Sequence, residues 1–178
     1  MSDLIEDTLA SDVVIRRAGS TDVEIRPGVD AAPPVVGVGD GTIWARAEPD
    51  GPGVDLGHGT IDVVVRAGTA LLEAHGGSGL VIAVRGAVEV FVDGQAVRLI
   101  TAGHAVAFDA TGHVGDPSDI GAAELADDPF VGLNLVLDAL GGVPTHLAAA
   151  GDTSAEDSPV TPASKSRKIR RRERRSTR

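Results

Sequence analysis

The stretch Leu80–Asp109, LVIAVRGAVEVFVDGQAVRLITAGHAVAFD, constrains this chain more than any other. Through its middle, apolar residues recur at every second position. Val88, Val90 and Val92 fall on one face, and Ala87, Glu89 and Phe91 on the other. A period of two belongs to a half-buried β-strand, and β-branched residues suit that backbone because their χ1 is already restricted. Asp93-Gly94 separates this run from Gln95–Ile100. A type I′ turn needs positive φ at both central residues, so the pair predicts a tight hairpin. Gly86 interrupts the run and predicts a turn, bulge or sheet corner. Thr101-Ala102-Gly103 makes a second turn before a strand over His104–Asp109.

The same pattern predicts strands over Val13–Arg17, Val23–Arg26, Thr42–Arg46, Thr60–Arg66 and Thr69–Ala74, with Gly68 breaking the last two apart. Val29–Gly41 and Glu48–Gly59 are rich in Pro and Gly and read as loop and turns. The sole tryptophan, Trp44, is expected in the core or at a sheet edge. Residues 1–12 are acidic and read as a short helix or as a disordered end.

Beyond Asp109 the character changes. Ala110–Asp119 reads as loop, and Ile120–Ala126 as one or two helical turns. Asp128-Pro129 has the form of an N-cap followed by proline at the first helical position. Phe130, Leu133, Val136, Leu137 and Leu140 then keep helical spacing on one face until Gly141-Gly142. That apolar stripe is expected to pack on the sheet, with a docking or oligomer face as the alternative. Asn134, between the apolar positions, is expected to be exposed.

The fold class expected is mainly β: antiparallel sheets of sandwich or barrel-like form with one C-terminal amphipathic helix. The organisation expected is an acidic segment over 1–12, a β domain with its terminal helix over 13–140, a flexible linker over 141–164 and a disordered basic tail over 165–178.

Composition narrows function. There is no cysteine, which excludes disulfides, thiolate zinc sites and cysteine nucleophiles. Trp44, Phe91, Phe108 and Phe130 are the only aromatics, too few for a base-stacking nucleic-acid platform. No run approaches the roughly 18 apolar residues of a membrane span. The acidic N-terminus lacks the basic-then-apolar order of a signal peptide, so a cytoplasmic protein is expected.

Five histidines are present, His58, His75, His104, His113 and His146, in no HxH, HxxxH or HExxH arrangement. Ser78 lies near His75 but without a third group to complete a nucleophilic triad. The glycine-rich HGGSG over His75–Gly79 lacks the GK[ST] of a phosphate cradle and reads as a hairpin loop. A cupin comparison places His75 and Glu73 near a first metal-binding set and His113 near a second. Gly77 stands where that pattern needs its other histidine, and Gly79 where it needs its glutamate. Too few ligands remain for a metal. No catalytic, cofactor or metal residue is therefore assigned, and a degenerate cupin-like enzyme or small-ligand sensor is the alternative to a non-enzymatic interaction module.

The segment from about Gly59 to Gly112 resembles the FecR-type domain in its order of turns and strands: VIAV, RG, AVEVFV, DGQ, AVRLI, TAG, HAVAFD, ATG. That resemblance implies a β-rich regulatory binding module, without catalytic residues, that relays a signal to an anti-sigma or sigma partner. The usual membrane span is missing here. A cyclic-nucleotide-binding β-roll is superficially similar over Val88–Asp109 but carries an Arg-bearing phosphate cassette that this chain lacks.

The net charge of −10 conceals a split. Lys165 to Arg178 holds nine basic residues and one Glu; the first 164 residues hold seven Arg and 25 acidic residues. A polyanionic body thus carries a polycationic tail. Lys165, Arg167, Lys168, Arg170, Arg171, Arg172, Arg174, Arg175 and Arg178 are the candidate polyanion-binding residues. A protein partner is expected for the body. Nucleic acid, anionic lipid, or the protein's own acidic body, including self-association, remain open as targets of the tail.

Overall fold

The computed structural model describes residues 3–10 and 12–143. Most of the linker and the whole basic tail, Lys165–Arg178, lie outside them. The described chain is mainly β. Its strands are β1 (Leu4–Ala10), β2 (Val13–Ala18), β3 (Val23–Arg26), β4 (Val35–Val38), β5 (Gly41–Ala47), β6 (Val54–His58), β7 (Ile61–His75), β8 (Ser78–Val92), β9 (Gln95–Thr101), β10 (His104–Phe108) and β11 (Ser118–Asp119). Two helices follow, α1 (Ala122–Asp127) and α2 (Pro129–Leu140).

The hairpin β7–β8 is the spine. Each strand runs 15 residues, and they pair from Ile61↔Val92 to His75↔Ser78. The sequence reading broke both at a glycine, but neither Gly68 nor Gly86 ends a strand. The two glycines face each other, with φ of 143° and 72°. A Cβ on Gly68 would sit 2.2 Å from the Arg85 carbonyl oxygen, and one on Gly86 2.4 Å from that of Ala67. Glycine at both places lets the backbones close on each other while both strands bend. Gly86 is the corner that its place in the valine run predicted.

That bend divides the sheet. On one side, residues 68–74 of β7 pair with β5 and residues 79–83 of β8 with β10, so the order runs β1-β2-β5-β7-β8-β10-β11. On the other, residues 61–65 pair with β6 and residues 87–92 with β9, giving β3-β4-β6-β7-β8-β9. All pairings are antiparallel except β4–β6. The halves close over one aliphatic interior. Val13, Ile15 and Ile43 come from the first, and Val36, Leu56, Val63, Val65 and Val90 from the second, all fully buried. The β8–β9 turn is as expected, with φ of 49° at Asp93 and 75° at Gly94.

Three expectations are corrected. Residues Leu4–Ala10 form a strand, neither the short helix nor the disordered end expected. β1 lies antiparallel on β2, and its Glu6 and Asp7 pair with Arg16 and Arg17 across the ladder. Acidity that reads as a solvated end is cross-strand ion pairing. The expected loop Val29–Gly41 contains β4, which is held by β3 and by β6. The expected turn region Glu48–Gly59 contains β6, whose Val54, Leu56 and His58 alternate into the interior.

The glycine pair gives a first prediction. Gly68→Ala should lower the unfolding free energy by at least about 1–3 kcal/mol from backbone strain alone, with more from the clash. Gly37→Ala, whose added Cβ would come no closer than 3.6 Å to any neighbour, should change it by less than about 0.5 kcal/mol. Denaturant midpoints of the two variants check this.

Candidate functional site: a charge-anchored helix and its outward face

The outer face of the first sheet half carries a row of side chains from neighbouring strands. The registers Glu6↔Arg16, Arg16↔Trp44, Trp44↔Leu71, Leu71↔Ile82 and Ile82↔Ala105 put these residues side by side. Trp44, Leu71, Ile82, Val84 and Ala105 form a second apolar cluster there, covered by Leu125 of α1 and Val131 of α2. Arg16 lies in the same layer and is 4% exposed. Arg46, two residues beyond Trp44 on β5, points to the same face. Two guanidinium groups are thus covered by helices, and a buried charge must be paired.

Asp138 on α2 is their counter-charge. Its Oδ1 accepts from Arg16 Nη1 at 2.6 Å and from Arg46 Nη1 at 2.9 Å. Its Oδ2 accepts from Trp44 Nε1 at 3.3 Å. Glu6 adds a bond to Arg16 Nε at 2.5 Å, and Glu48 lies 3.4 Å from both Arg46 and Arg85. Burial alone would lower the Arg16 pKa, but the hydrogen bonds that Arg16 donates to Glu6 and Asp138, with their charge, outweigh burial and raise it.

This anchor fixes which way α2 faces. The helix starts as the sequence predicts. Asp128 caps it by accepting from Phe130 N and Val131 N at 2.8 and 2.9 Å, with Pro129 next. Its packed side, however, is Val131, Asn134 and Asp138, spaced i, i+3, i+7. Asn134 was expected on the surface; it is fully buried, and its Nδ2 donates to Phe130 O at 2.8 Å. Asn134 Oδ1 has no hydrogen-bond partner among the described residues. Of the apolar stripe expected on the sheet, Phe130 packs against the Trp44 cluster and Leu137 is half-buried, but the rest faces outward instead: Leu133 is 44% exposed, Val136 56% and Leu140 81%. The helix is inverted because the sheet beneath it offers arginines as well as apolar side chains.

At its N-terminal end the stripe runs into a groove of about 390 Å³ between α2 and the β1–β2 edge. Its apolar walls are Leu4, Ala18, Pro129, Phe130 and Leu133, and Asp3 and Asp128 stand on its rim. Asp3, Asp127 and Asp128 are all exposed. From Asp119 to Val143 the chain carries five acidic residues and no Lys or Arg.

The other candidates are placed elsewhere. His75 pairs with Glu73 at 3.4 Å beside the β7–β8 turn, and His113 lies in the loop after β10. That loop is shaped by Asp109, whose carboxylate accepts from the Thr111 hydroxyl and from the backbone of Thr111 and His113. Those bonds, the hydroxyl first, hold the Asp109 pKa below its ordinary value. Among the described residues no three His, Asp or Glu side chains gather as a metal would need. Ser78 Oγ donates to His75 O, which leaves it unengaged with an imidazole. His58 is buried, its Nδ1 2.9 Å from Val38 O and its ring tilted against Phe108, while its Nε2 meets no hydrogen-bond partner among the described residues. A second groove of about 450 Å³ beside β9 holds Arg98, whose guanidinium is already engaged with Gly115 O, Val114 O and Asp116. Among the described residues, no helix is long and apolar enough to cross a membrane.

Sequence reasoning missed Arg16, Arg46 and Asp138. The one available signal was Asp138 itself, a lone carboxylate inside LNLVLDAL. The nine basic tail residues named from the sequence lie outside the described residues.

No family model matches the chain, and no curated protein matches it. Among solved structures it is similar to two crystal structures, each described as a putative anti-sigma factor from Parabacteroides distasonis. One shares 16% identity at a TM-score of 0.56 over 66% of this chain and 56% of its own. The other shares 14% at 0.59 over 77% of this chain and 61% of its own. The likeness is one of fold, and the chain spans less than two thirds of either neighbour's length.

The anchor gives a second prediction. Asp138→Ala removes the carboxylate shared by Arg16 and Arg46, leaving Glu6 and Glu48 as their remaining partners, and should cost about 3 kcal/mol of stability. Trp44, the sole tryptophan and fully buried, reports the change directly. Its emission should shift to the red in the variant under native conditions, while Leu140→Ala, at an exposed position, should leave both stability and emission near those of the parent.

Proposed function

We propose that this chain is a non-enzymatic regulatory module of the FecR kind that acts by docking a protein partner on the outward stripe of α2. The observation that carries this reading is the exposure of Leu133, Val136 and Leu140 on a helix held in place by buried charge. A contiguous apolar stripe on a rigid element, bordered by charge, is the form that protein-docking surfaces take. Covering what those three side chains expose would contribute roughly 3–5 kcal/mol by the usual transfer scale. The groove beside them supplies a pocket for an anchoring side chain. The acidic rim favours a partner whose own apolar surface is bordered by Lys or Arg. The description of the structural neighbours makes a sigma factor the first partner to try. The basic tail is the module's second binding element, directed at polyanions.

The reading is tested with a photo-activatable side chain placed at Val136 in the full chain, and at Leu99 on β9 as a control. The protein trapped from position 136 alone should be identified by mass spectrometry, purified and titrated. Leu133→Asp with Val136→Asp should weaken that purified complex at least tenfold while the far-ultraviolet spectrum stays unchanged. Equal affinity for the double variant, or trapping that does not differ between the two positions, rules the docking face out.

A further inference from the structure

Resting on that docking face, we infer that the basic segment Lys165–Arg178 of the same chain occupies the groove between α2 and β1 and covers the docking face until a partner displaces it. The groove states what its occupant must be. Its walls are apolar and its rim is acidic, with Asp3 and Asp128 on it and Asp127 beside it. A second copy docking face to face would set these carboxylates against their own copies, in a body where 22 acidic residues over 1–143 meet only seven arginines. An anionic lipid surface is repelled for the same reason. The occupant is therefore basic and carries an apolar side chain.

The segment KSRKIRRRERRSTR meets both requirements, with nine basic residues against one Glu and with Ile169 set between Lys168 and Arg170. It also reaches. α2 is 12 residues long, so the groove lies about 18 Å from the helix end at which the described chain leaves. The residues numbered 144–164 can span at most about 70 Å. Tethering at this distance sets a local concentration of order mM. Attraction between exposed charges acts over about 10 Å at 0.1 M salt and about 3 Å at 1 M, so the closed form is salt-sensitive.

The absence of cysteine makes the test direct. Thr177→Cys in the full chain takes a single nitroxide, whose paramagnetic broadening is read on leucine and valine methyl signals. At low salt, Leu4 and Leu133 should lose at least half their intensity while Leu99 and Val29, exposed at sites away from α2, keep theirs. Changing Arg170, Arg171, Arg172, Arg174 and Arg175 together to Gln should restore the signals, as should 1 M salt. The same variant should bind the partner trapped at position 136 at least fivefold more tightly. Absence of selective loss at Leu4 and Leu133 overturns the inference. So does the same loss when isotope-labelled chains without nitroxide are mixed with nitroxide chains, which makes the occupant a second copy's tail. An empty groove together with an intact complex trapped at position 136 removes the self-docking alone and leaves the docking face standing.

Discussion

Two guanidinium groups on one covered sheet face demand a carboxylate, and the position of α2 follows from that demand. Arg16 and Arg46 project from β2 and β5 on the side of the sheet away from the aliphatic interior. The only carboxylate hydrogen-bonded to both, among the described residues, is Asp138. Its position in the last turn of α2 draws that end of the helix onto the sheet, while Asp128 fixes the beginning by capping it. With both ends set, the rotation of the helix about its axis is set as well. Every other property of the candidate site, including the exposed stripe and the groove beside β1, is a consequence of that rotation.

The anchor could not exist without the bend at Gly68 and Gly86. One hairpin serves two sheet halves because its strands turn at the same level, and only glycine tolerates the close approach there. The bend encloses an interior made mostly of Val, Ile, Leu and Ala, with Phe108 and His58 at one side and no Asp, Glu, Lys or Arg among its described members. It leaves the other face of the first half as a second layer, open to helices and able to accept arginine. The chain thus keeps its polar network out of the aliphatic interior and confines it to the helix-covered side, where Glu6 and Glu48 can reach in from the solvent.

Much of the β framework was legible because alternation and turn chemistry are local. Val88, Val90 and Val92 alternate, Asp93-Gly94 turns, and Asp128-Pro129 starts a helix; each follows from residues within a few positions of each other. What escaped were features whose cause lies far away in sequence. Leu4–Ala10 is a strand whose Glu6 stands opposite Arg16 and whose Asp7 reaches Arg17 diagonally across the ladder. Gly68 looked like a break because its partner, Gly86, sits across a hairpin. The facing of α2 was misjudged because an apolar stripe was weighed against an assumed apolar sheet, and Asn134 was placed outside on the same assumption. The parity of VVIRRA and TIWARA put Arg16 and Arg46 on the outer face, but nothing local said that this face would be covered.

The two ways of docking α2 can be weighed against each other. With its apolar stripe on the sheet, the helix would bury Leu133, Val136 and Leu140, a gain of roughly 3–5 kcal/mol on the transfer scale, less what Val131 loses by turning outward. It would also turn Asp138 to the solvent and leave two guanidiniums covered without it. Leaving a buried charge uncompensated costs about 3–5 kcal/mol, and Arg16 is buried while Arg46 is half-buried beside it. Partial rescue by Glu6 and Glu48 narrows the difference without reversing it, since neither reaches both arginines as Asp138 does. Electrostatics therefore selects the inverted helix although hydrophobic burial opposes it. A helix that could recover that burial only by meeting another surface is held ready for one, and the same few kcal/mol become available to whatever covers the stripe.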